Sequence, residues 1–304
     1  MDEKQWLAQR FEEQRPRLRA VVYRMLGSLA EADDAVQEAW VRLSRTDTGA
    51  VENLEGWLTT VVARVALNML RSRRSRREAP MGVHLPDPII DPADGTDPEH
   101  EALLADAVGL ALLVVLDALS PAERLAFVLH DMFAVPFEQI APIVERSPEA
   151  TRQLASRARR RVRGATPPPD ADLNAQWAVV DAFLAAARDG NFDALVAVLD
   201  PDVVLRVDGG TKMPSSLVSG AATVAGQALF WAHVNQTFRR ALVNGVAGVV
   251  GFRDDHPFAV GTFTLRGGNI AEINILADPE RLAQLDVLAV WEGASAGEGP
   301  DAEG

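Results

Sequence analysis

The 304-residue sequence contains no cysteine. That excludes a disulfide scaffold, a zinc ribbon, an iron–sulfur centre and a thiol nucleophile. No apolar run reaches the length of a bilayer span, and the charged opening MDEKQWLAQRFEE does not read as a signal peptide. The cytosol is therefore the expected compartment, with no membrane partner. His84, His100, His130, His233 and His256 show no metal-ligand spacing, so neither a metal nor another cofactor is expected. Internal repeats are absent. What is present is ordinary for a soluble globular protein, 48% hydrophobic and 24% charged, at a length that suits about two domains.

The net charge is −13, an unpromising total for a nucleic-acid-binding protein. The total hides an asymmetry. Residues 1–169 hold 22 Lys and Arg against 25 Asp and Glu, and residues 170–304 hold 8 against 18. Arginines also cluster in the first part, as Arg71, Arg73, Arg74, Arg76 and Arg77, and again as Arg152, Arg157, Arg159, Arg160, Arg161 and Arg163. Two separate basic patches on an acidic chain suggest anion contact at two places. The alternative is a pair of solvated helix ends, where arginine complements the helix dipole.

Residues 5–77 read as helices. Leu18, Val21, Val22, Met25 and Leu29 repeat at helical spacing, as do Val36, Ala39, Trp40 and Leu43, and then Leu58, Val61, Val62, Val65 and Met69. A polar break occupies 44–53. Residues 79–98 contain five prolines and read as an extended linker. Helices resume at about 99–117. Ser120-Pro121-Ala122-Glu123 is a capping-box helix start. A short amphipathic helix over 137–144 and a longer basic one from Ser147-Pro148 to about Val162 form a helix-turn-helix pattern. Ile140, Ile143 and Val144 are expected to pack its first helix, with Leu154 and Ala158 packing the second.

Beyond a second proline-rich stretch at 166–170 the pattern changes. Leu173, Trp177, Val180, Leu184 and Ala187 mark one helix, and Phe192, Leu195, Val196 and Leu199 a second. Val203, Leu205 and Val207 alternate as a strand. Further strands are expected over 246–252, 258–265 and 269–276, with Gly267-Gly268 in a hairpin turn. Helices followed by antiparallel strands indicate an α+β domain. The tail from about 293 has nothing to bury.

The second helix of the helix-turn-helix presents Glu149, Arg152, Gln153, Ser156, Arg157 and Arg160 on one face. Arg and Gln near its start suit bidentate hydrogen bonds to guanine and adenine, and the later arginines suit phosphates. A plain helical hairpin is the alternative. Three segments carry a resemblance. Residues 32–43 (ADDAVQEAWVRL) resemble region 2.2 of sigma-70-type transcription initiation factors. Residues 55–64 (EGWLTTVVAR), running into the basic cluster, resemble regions 2.3 and 2.4, and residues 119–162 resemble region 4. Domains 2 and 4 alone, in that order, resemble the extracytoplasmic-function (ECF) sigma factors.

The resemblance implies core RNA polymerase and promoter DNA as partners. Asp33, Asp34, Gln37 and Glu38 would dock on the coiled coil of the polymerase β′ subunit, an acidic face meeting a basic helix; a merely solvated face is the alternative. Asn53 and Trp57 would capture an unstacked base of the −10 element, with Trp57 alternatively a core residue. Arg64, Arg71, Arg73 and Arg74 would hold its phosphates. Domain 4 would read the −35 element and touch the β flap.

The C-terminal region resembles the SnoaL-like, NTF2-like cone fold, which an ECF group called SigJ-like carries as an extension. His84-Leu85-Pro86-Asp87-Pro88-Ile89 resembles that group's linker motif WLPEP, with His in place of Trp and Asp in place of Glu. Asp208-Gly209-Gly210-Thr211-Lys212 resembles DGGGK, and Asp278-Pro279-Glu280-Arg281-Leu282 resembles NPDKL. The resemblance implies regulation in cis through contacts between domains at these residues. The expected organisation is sigma domain 2 at 1–78, linker at 79–107, sigma domain 4 at 108–165, SnoaL-like domain at 170–292 and a disordered tail at 293–304.

Two other readings remain open at this level. One is a one-component helix-turn-helix regulator that acts without polymerase. The other is a bifunctional protein whose cone binds a small molecule or performs cyclase- or isomerase-like chemistry. Asp208, His233 and Asp255 are candidate bases for such chemistry, but the single tyrosine, Tyr23, lies in the other half of the chain and cannot serve as an oxyanion donor there. No catalytic residue is assigned.

Overall fold

A computed structural model describes residues 3–46, 53–76, 83–93, 95, 109–165, 172–232, 236–285 and 287. Several expectations fall on residues outside this set: most of the 44–53 loop, Arg77, His100, the 99–108 helix start, the 166–170 stretch, His233 and the 293–304 tail. The chain divides into two compact units. The first comprises Met1–Pro80, Glu101–Asp106 and Leu112–Thr166, and the second Met81–His100, Ala107–Ala111 and Pro167–Gly304.

The first unit is helical. Helices α1 (Glu3–Leu26), α2 (Leu29–Leu43) and α3 (Leu54–Arg76) pack on one another. Leu18, Val21, Val22 and Met25 of α1 meet Ala32, Ala35, Val36, Ala39 and Leu43 of α2 and Leu58, Val62, Ala66 and Leu67 of α3, all buried. Ser28 caps α2. Next come α4 (Leu110–Asp117), which belongs to this unit from Leu112 on, α5 (Pro121–Phe127), a π-helical turn over Val128–Met132, α6 (Phe137–Val144) and α7 (Pro148–Ala165). Ser120 and Glu123 form the capping box of α5. Helix α6 ends where Glu145 turns left-handed, at φ 58°. Ser147 then accepts from Ala150 N–H and starts α7. The helix-turn-helix core is Ile140, Ile143 and Val144 against Thr151, Ala155 and Ala158, with α3 packed on both α5 and α6. Leu154, expected in this core, is only half-buried, and Ala155 takes the buried position.

The second unit is α+β. Its seven-stranded sheet has the order β1-β4-β5-β6-β7-β2-β3, and β2 and β7 are its one parallel pair among the described residues. The strands are β1 (Ile90–Pro92), β2 (Leu199–Asp208), β3 (Ser216–Ser219), β4 (Thr237–Val243), β5 (Val246–Arg253), β6 (His256–Arg266) and β7 (Asn269–Leu276). Register shifts between Gly251 and Phe252 and between Thr264 and Leu265 add the local bends that curve a sheet. Helices α8 (Leu173–Arg188), α9 (Phe192–Val198) and α10 (Ala221–Ala232) cover one face, around Trp177, Val180, Phe183, Leu195, Val249, Phe263 and Ile273. The other face buries Ile90, Val243, Val250, Phe252, Val260 and Leu276 with Leu282 of the short α11 (Pro279–Leu282).

The structure departs from the linker reading at residues 83–92. Ile90–Pro92 is an edge strand, with Ile90 opposite Val243 and Pro92 opposite Ala241. An edge tolerates proline because the ring forfeits only a hydrogen bond that the strand does not need. The preceding residue is pinned by the β4–β5 turn: Asn244 N–H donates to Ile89 O at 2.8 Å, and Asn244 Oδ1 accepts from Ile89 N–H at 3.3 Å. The turn residues Asn244 and Gly245 have φ 52° and 74°, as a two-residue hairpin of mirror-image twist requires.

Candidate functional site

Helix α2 separates its residues by period. Asp33, Asp34, Gln37 and Glu38 are all exposed, opposite the buried Ala32, Ala35, Val36 and Ala39. Arg19 Nε reaches Asp33 Oδ1 at 2.7 Å, and Arg42 Nε reaches Glu38 Oε1 at 2.9 Å. The face is thus acidic and carries two ordered pairs at its edges.

On α3, Trp57 is half-buried, while Arg64 and Arg71 are exposed. Asn68, one turn from each, is exposed on the same stripe, and sequence reasoning passed over it. Asn53 has a structural task as the residue before α3: its Oδ1 accepts from Gly56 N–H at 3.0 Å. Arg73 is half-buried and turned back into the fold, donating to Leu26 O at 2.9 Å and pairing with Glu31. Arg74 lies in the last turn of α3.

On α7, Glu149, Arg152, Gln153, Ser156, Arg157 and Arg160 are all exposed, and Thr151, Ala155 and Ala158 line the opposite, buried side. The Arg152 guanidinium lies 5.3 Å from the Phe137 ring of α6. The Glu149 carboxyl sits below the usual glutamate range, held there by its own N–H, by Ser147 and by Arg152. A cavity of about 370 Å³ lies at the base of α7 within the same unit, lined by Leu70, Arg73, Asp117, Glu123, Arg124 and Arg161 among others.

The second unit gathers three sequence-distant motifs around one carboxylate. Asp208, at the end of β2, is 2% exposed. Its Oδ2 accepts from Leu85 N–H at 2.8 Å and from Arg281 Nη1 at 2.8 Å, and the His84 ring nitrogen lies 3.4 Å away. Its Oδ1 accepts from Gly210 N–H at 3.1 Å. Arg281 also donates to Leu85 O at 2.7 Å and to Asp87 at 2.9 Å. Pro86 and Pro88 are buried beside it. Burial raises the Asp208 carboxyl, but the His84 ring, the two N–H donors and the Arg281 cation outweigh it, leaving the group below the ordinary aspartate value.

Glycine is required where the motifs meet. A Cβ on Gly209 would lie 2.5 Å from Met213 O, and one on Gly210, at φ +65°, would lie 2.1 Å from Asp278 Oδ2. Asp278 caps α11, accepting from Glu280 N–H, and Pro279 follows as the first helical residue. Lys212 pairs with Glu280 at 3.0 Å on the exposed rim. Leu282 is buried on the second face of the sheet. All thirteen motif residues expected to bridge domains therefore lie in one unit. Asp208, read from the sequence as a candidate base, is saturated with donors, and Asp255 sits at φ 60° in the exposed β5–β6 turn. Among the described residues no helix is long and apolar enough to cross a membrane, and no cluster of metal-ligating side chains occurs.

Comparison with known proteins gives the same two blocks. The Sigma-70 region 2 family matches residues 10–76, and the Sigma-70 region 4 family matches residues 109–162. ECF RNA polymerase sigma factor SigJ of Mycobacterium tuberculosis is 38% identical over 292 residues, covering 89% of this chain and 91% of SigJ. The probable ECF RNA polymerase sigma factor SigI of the same species is 34% identical over 269 residues, covering 87% and 91%. The crystal structure of Mycobacterium tuberculosis SigJ superposes with a TM-score of 0.73 at 33% identity, over 91% of this chain and 99% of that one. With two sigma regions in a helical unit, followed by a sheet unit, and with SigJ matched over nearly its whole length, the chain belongs to the ECF family of RNA polymerase sigma factors, in its SigJ-like group.

Proposed function

We propose that this chain directs core RNA polymerase to specific promoters from the cytosol, that its helical unit makes the promoter contacts, and that its sheet unit regulates them in cis without a catalytic step. One observation carries the reading: six residues suited to base edges and phosphates share a single exposed face of α7, behind a packed helix-turn-helix. Arg152 and Gln153 near the helix start are assigned to −35 bases, and Arg157 and Arg160 to phosphates. Asp33, Asp34, Gln37 and Glu38 are assigned to the β′ coiled coil, and domain 4 to the β flap. For the −10 element, Arg64, Arg71 and Arg74 are assigned to phosphates and Asn53 and Trp57 to an unstacked base. Arg73 would have to leave Glu31 to join them.

The regulatory role is supported by charge. The helical unit holds 22 basic and 20 acidic residues, a net of +2, and the sheet unit holds 8 and 23, a net of −15. A tethered acidic unit competes with DNA for basic faces at high effective concentration. The motif hub acts indirectly in this scheme. It holds residues 84–92 on the sheet and so fixes where the chain leaves that unit.

The test is runoff transcription with the full-length chain and core polymerase. Arg152→Ala combined with Gln153→Ala is expected to reduce promoter-dependent transcripts at least tenfold with unchanged polymerase binding. Full transcription by the double variant, or tight sequence-specific DNA binding without polymerase, defeats the proposal in favour of an ordinary helix-turn-helix regulator.

A further inference from the structure

The basic flank of α7 is not uniformly cationic. Arg157 Nε lies 3.5 Å from Glu123 and Arg161 Nη1 lies 3.1 Å from the same carboxylate. Arg159 is paired with Asp131. The two arginine side chains on Glu123 are 51% and 57% exposed, whereas the Glu123 side chain is 9% exposed. Glu123 is fixed from its other side by the α5 capping box, accepting from Ser120 N–H at 3.2 Å and Ser120 Oγ–H at 2.7 Å. Burial raises its pKa, but the Ser120 donors and the Arg161 and Arg157 cations reverse this, and the group sits below the glutamate norm. An immobile anion therefore stands beneath two arginines that are open to solvent. Phosphates attract arginine whatever the sequence, so this anion subtracts from the sequence-blind part of DNA binding. The base-edge side chains Arg152 and Gln153, a turn earlier, are not on it.

We propose that Glu123 is a specificity-determining residue of −35 recognition, an internal counter-charge that weakens the pull of Arg157 and Arg161 on DNA phosphates and keeps non-specific binding low. The inference rests on reading α7 as the −35 recognition helix.

The test uses the full-length chain in holoenzyme with core polymerase. Its probes are a promoter duplex that the holoenzyme transcribes and the same duplex with a scrambled −35 element, each titrated across salt. Glu123→Gln removes the charge and keeps a side chain that can close the capping box. It is expected to bind the scrambled duplex at least threefold more tightly and to steepen the log affinity against log salt slope by about 0.9 for each additional phosphate neutralised. The ratio of promoter to scrambled affinity falls. Ser120→Ala weakens the cap and leaves the charge. It should lower Tm without moving the slope or the ratio, which separates the charge from a purely structural role. An unchanged slope and ratio in Glu123→Gln, or weaker promoter binding at wild-type Tm, overturns the proposal. Arg160→Gln tests the underlying reading separately. A shallower slope there with no response in Glu123→Gln removes only the role of Glu123, whereas no response in Arg160→Gln removes the −35 assignment and this proposal with it.

Discussion

In the helical unit, the residues that carry the sigma resemblance stand on outward faces: Asp33, Asp34, Gln37 and Glu38 on α2, Arg64 and Arg71 on α3, Arg152, Gln153 and Arg160 on α7. In the sheet unit, the core of the three motifs points inward, with His84, Lys212 and Pro279 left on the exposed rim. Leu85, Pro86, Pro88, Asp208 and Leu282 are buried, and Arg281 spends its guanidinium on Asp87, Asp208 and Leu85. An outward residue can be lost with little effect on folding and a large effect on a partner. An inward one is a fold determinant first, and any effect on transcription reaches it through the position of the chain segment it holds. A short motif is therefore ambiguous until its side chains are seen to face solvent or their own core.

The largest expected effect is on Asp208. Asp208→Ala leaves Leu85 N–H without its acceptor and strips Arg281 of one of two carboxylates. The breaking of a buried ion pair from one side costs about 3 kcal/mol. The urea midpoint of the full-length chain, followed by circular dichroism, should fall accordingly. Asp34→Ala should stay within about 0.5 kcal/mol of wild type while runoff transcription drops several-fold. Equal stability of the two variants would erase the inward-outward division. Acid sharpens it. The folded pKa of Asp208 is depressed, so its contribution is complete above the ordinary aspartate value and is lost as pH falls through the depressed one. The wild-type midpoint should decline below about pH 4 more steeply than that of Asp208→Ala.

A smaller effect is expected at the meeting point of two motifs. Gly210→Ala adds a Cβ 2.1 Å from Asp278 Oδ2 at a left-handed φ, and Gly245→Ala adds one at φ +74° with nothing within 4 Å. The second should cost about 1 kcal/mol for backbone strain alone. The first adds displacement of the α11 cap, for about 2 kcal/mol in all. Comparable midpoints for the two variants would show that the DGGGK-like turn does not depend on the NPDKL-like one.

The same contrast explains how much was legible in the sequence. The helix-turn-helix could be read because its determinants are local, with Ser147-Pro148 starting α7 and a 3.6-residue period dividing its faces. The miss at Leu154 is one of size. Thr151, Ala155 and Ala158 let α7 come close to its neighbours, and a hydrophobicity pattern favours the larger Leu. Strand β1 was hidden by Pro92 and by Pro86 and Pro88 before it, although only an edge position was needed. Strand β4 was missed because Phe238, Arg239 and Arg240 are all exposed, so no alternation shows. The Asn244-Gly245 pair that follows was the available hairpin signal. The three hub motifs were legible through the resemblance, but their meeting around one carboxylate had no local signal, since Asp87 and Arg281 are 194 residues apart.

Asn53 is where the two classes overlap, and the expected effect there is the smallest on stability. It is exposed, as an outward residue should be, yet its Oδ1 caps α3 through Gly56 N–H. Asn53→Ala should cost about 1 kcal/mol through the lost cap, so reduced transcription by that variant alone would not show base capture. Asn53→Ser retains a hydroxyl acceptor for the cap and removes the amide that could hydrogen-bond a base. If Asn53 reaches the −10 element, the serine variant should keep the wild-type Tm and lose several-fold in open-complex formation, read by permanganate footprinting of unpaired thymines. Wild-type opening by Asn53→Ser would assign the residue to the inward class despite its exposure, leaving Trp57, Arg64 and Arg71 to hold the melted strand.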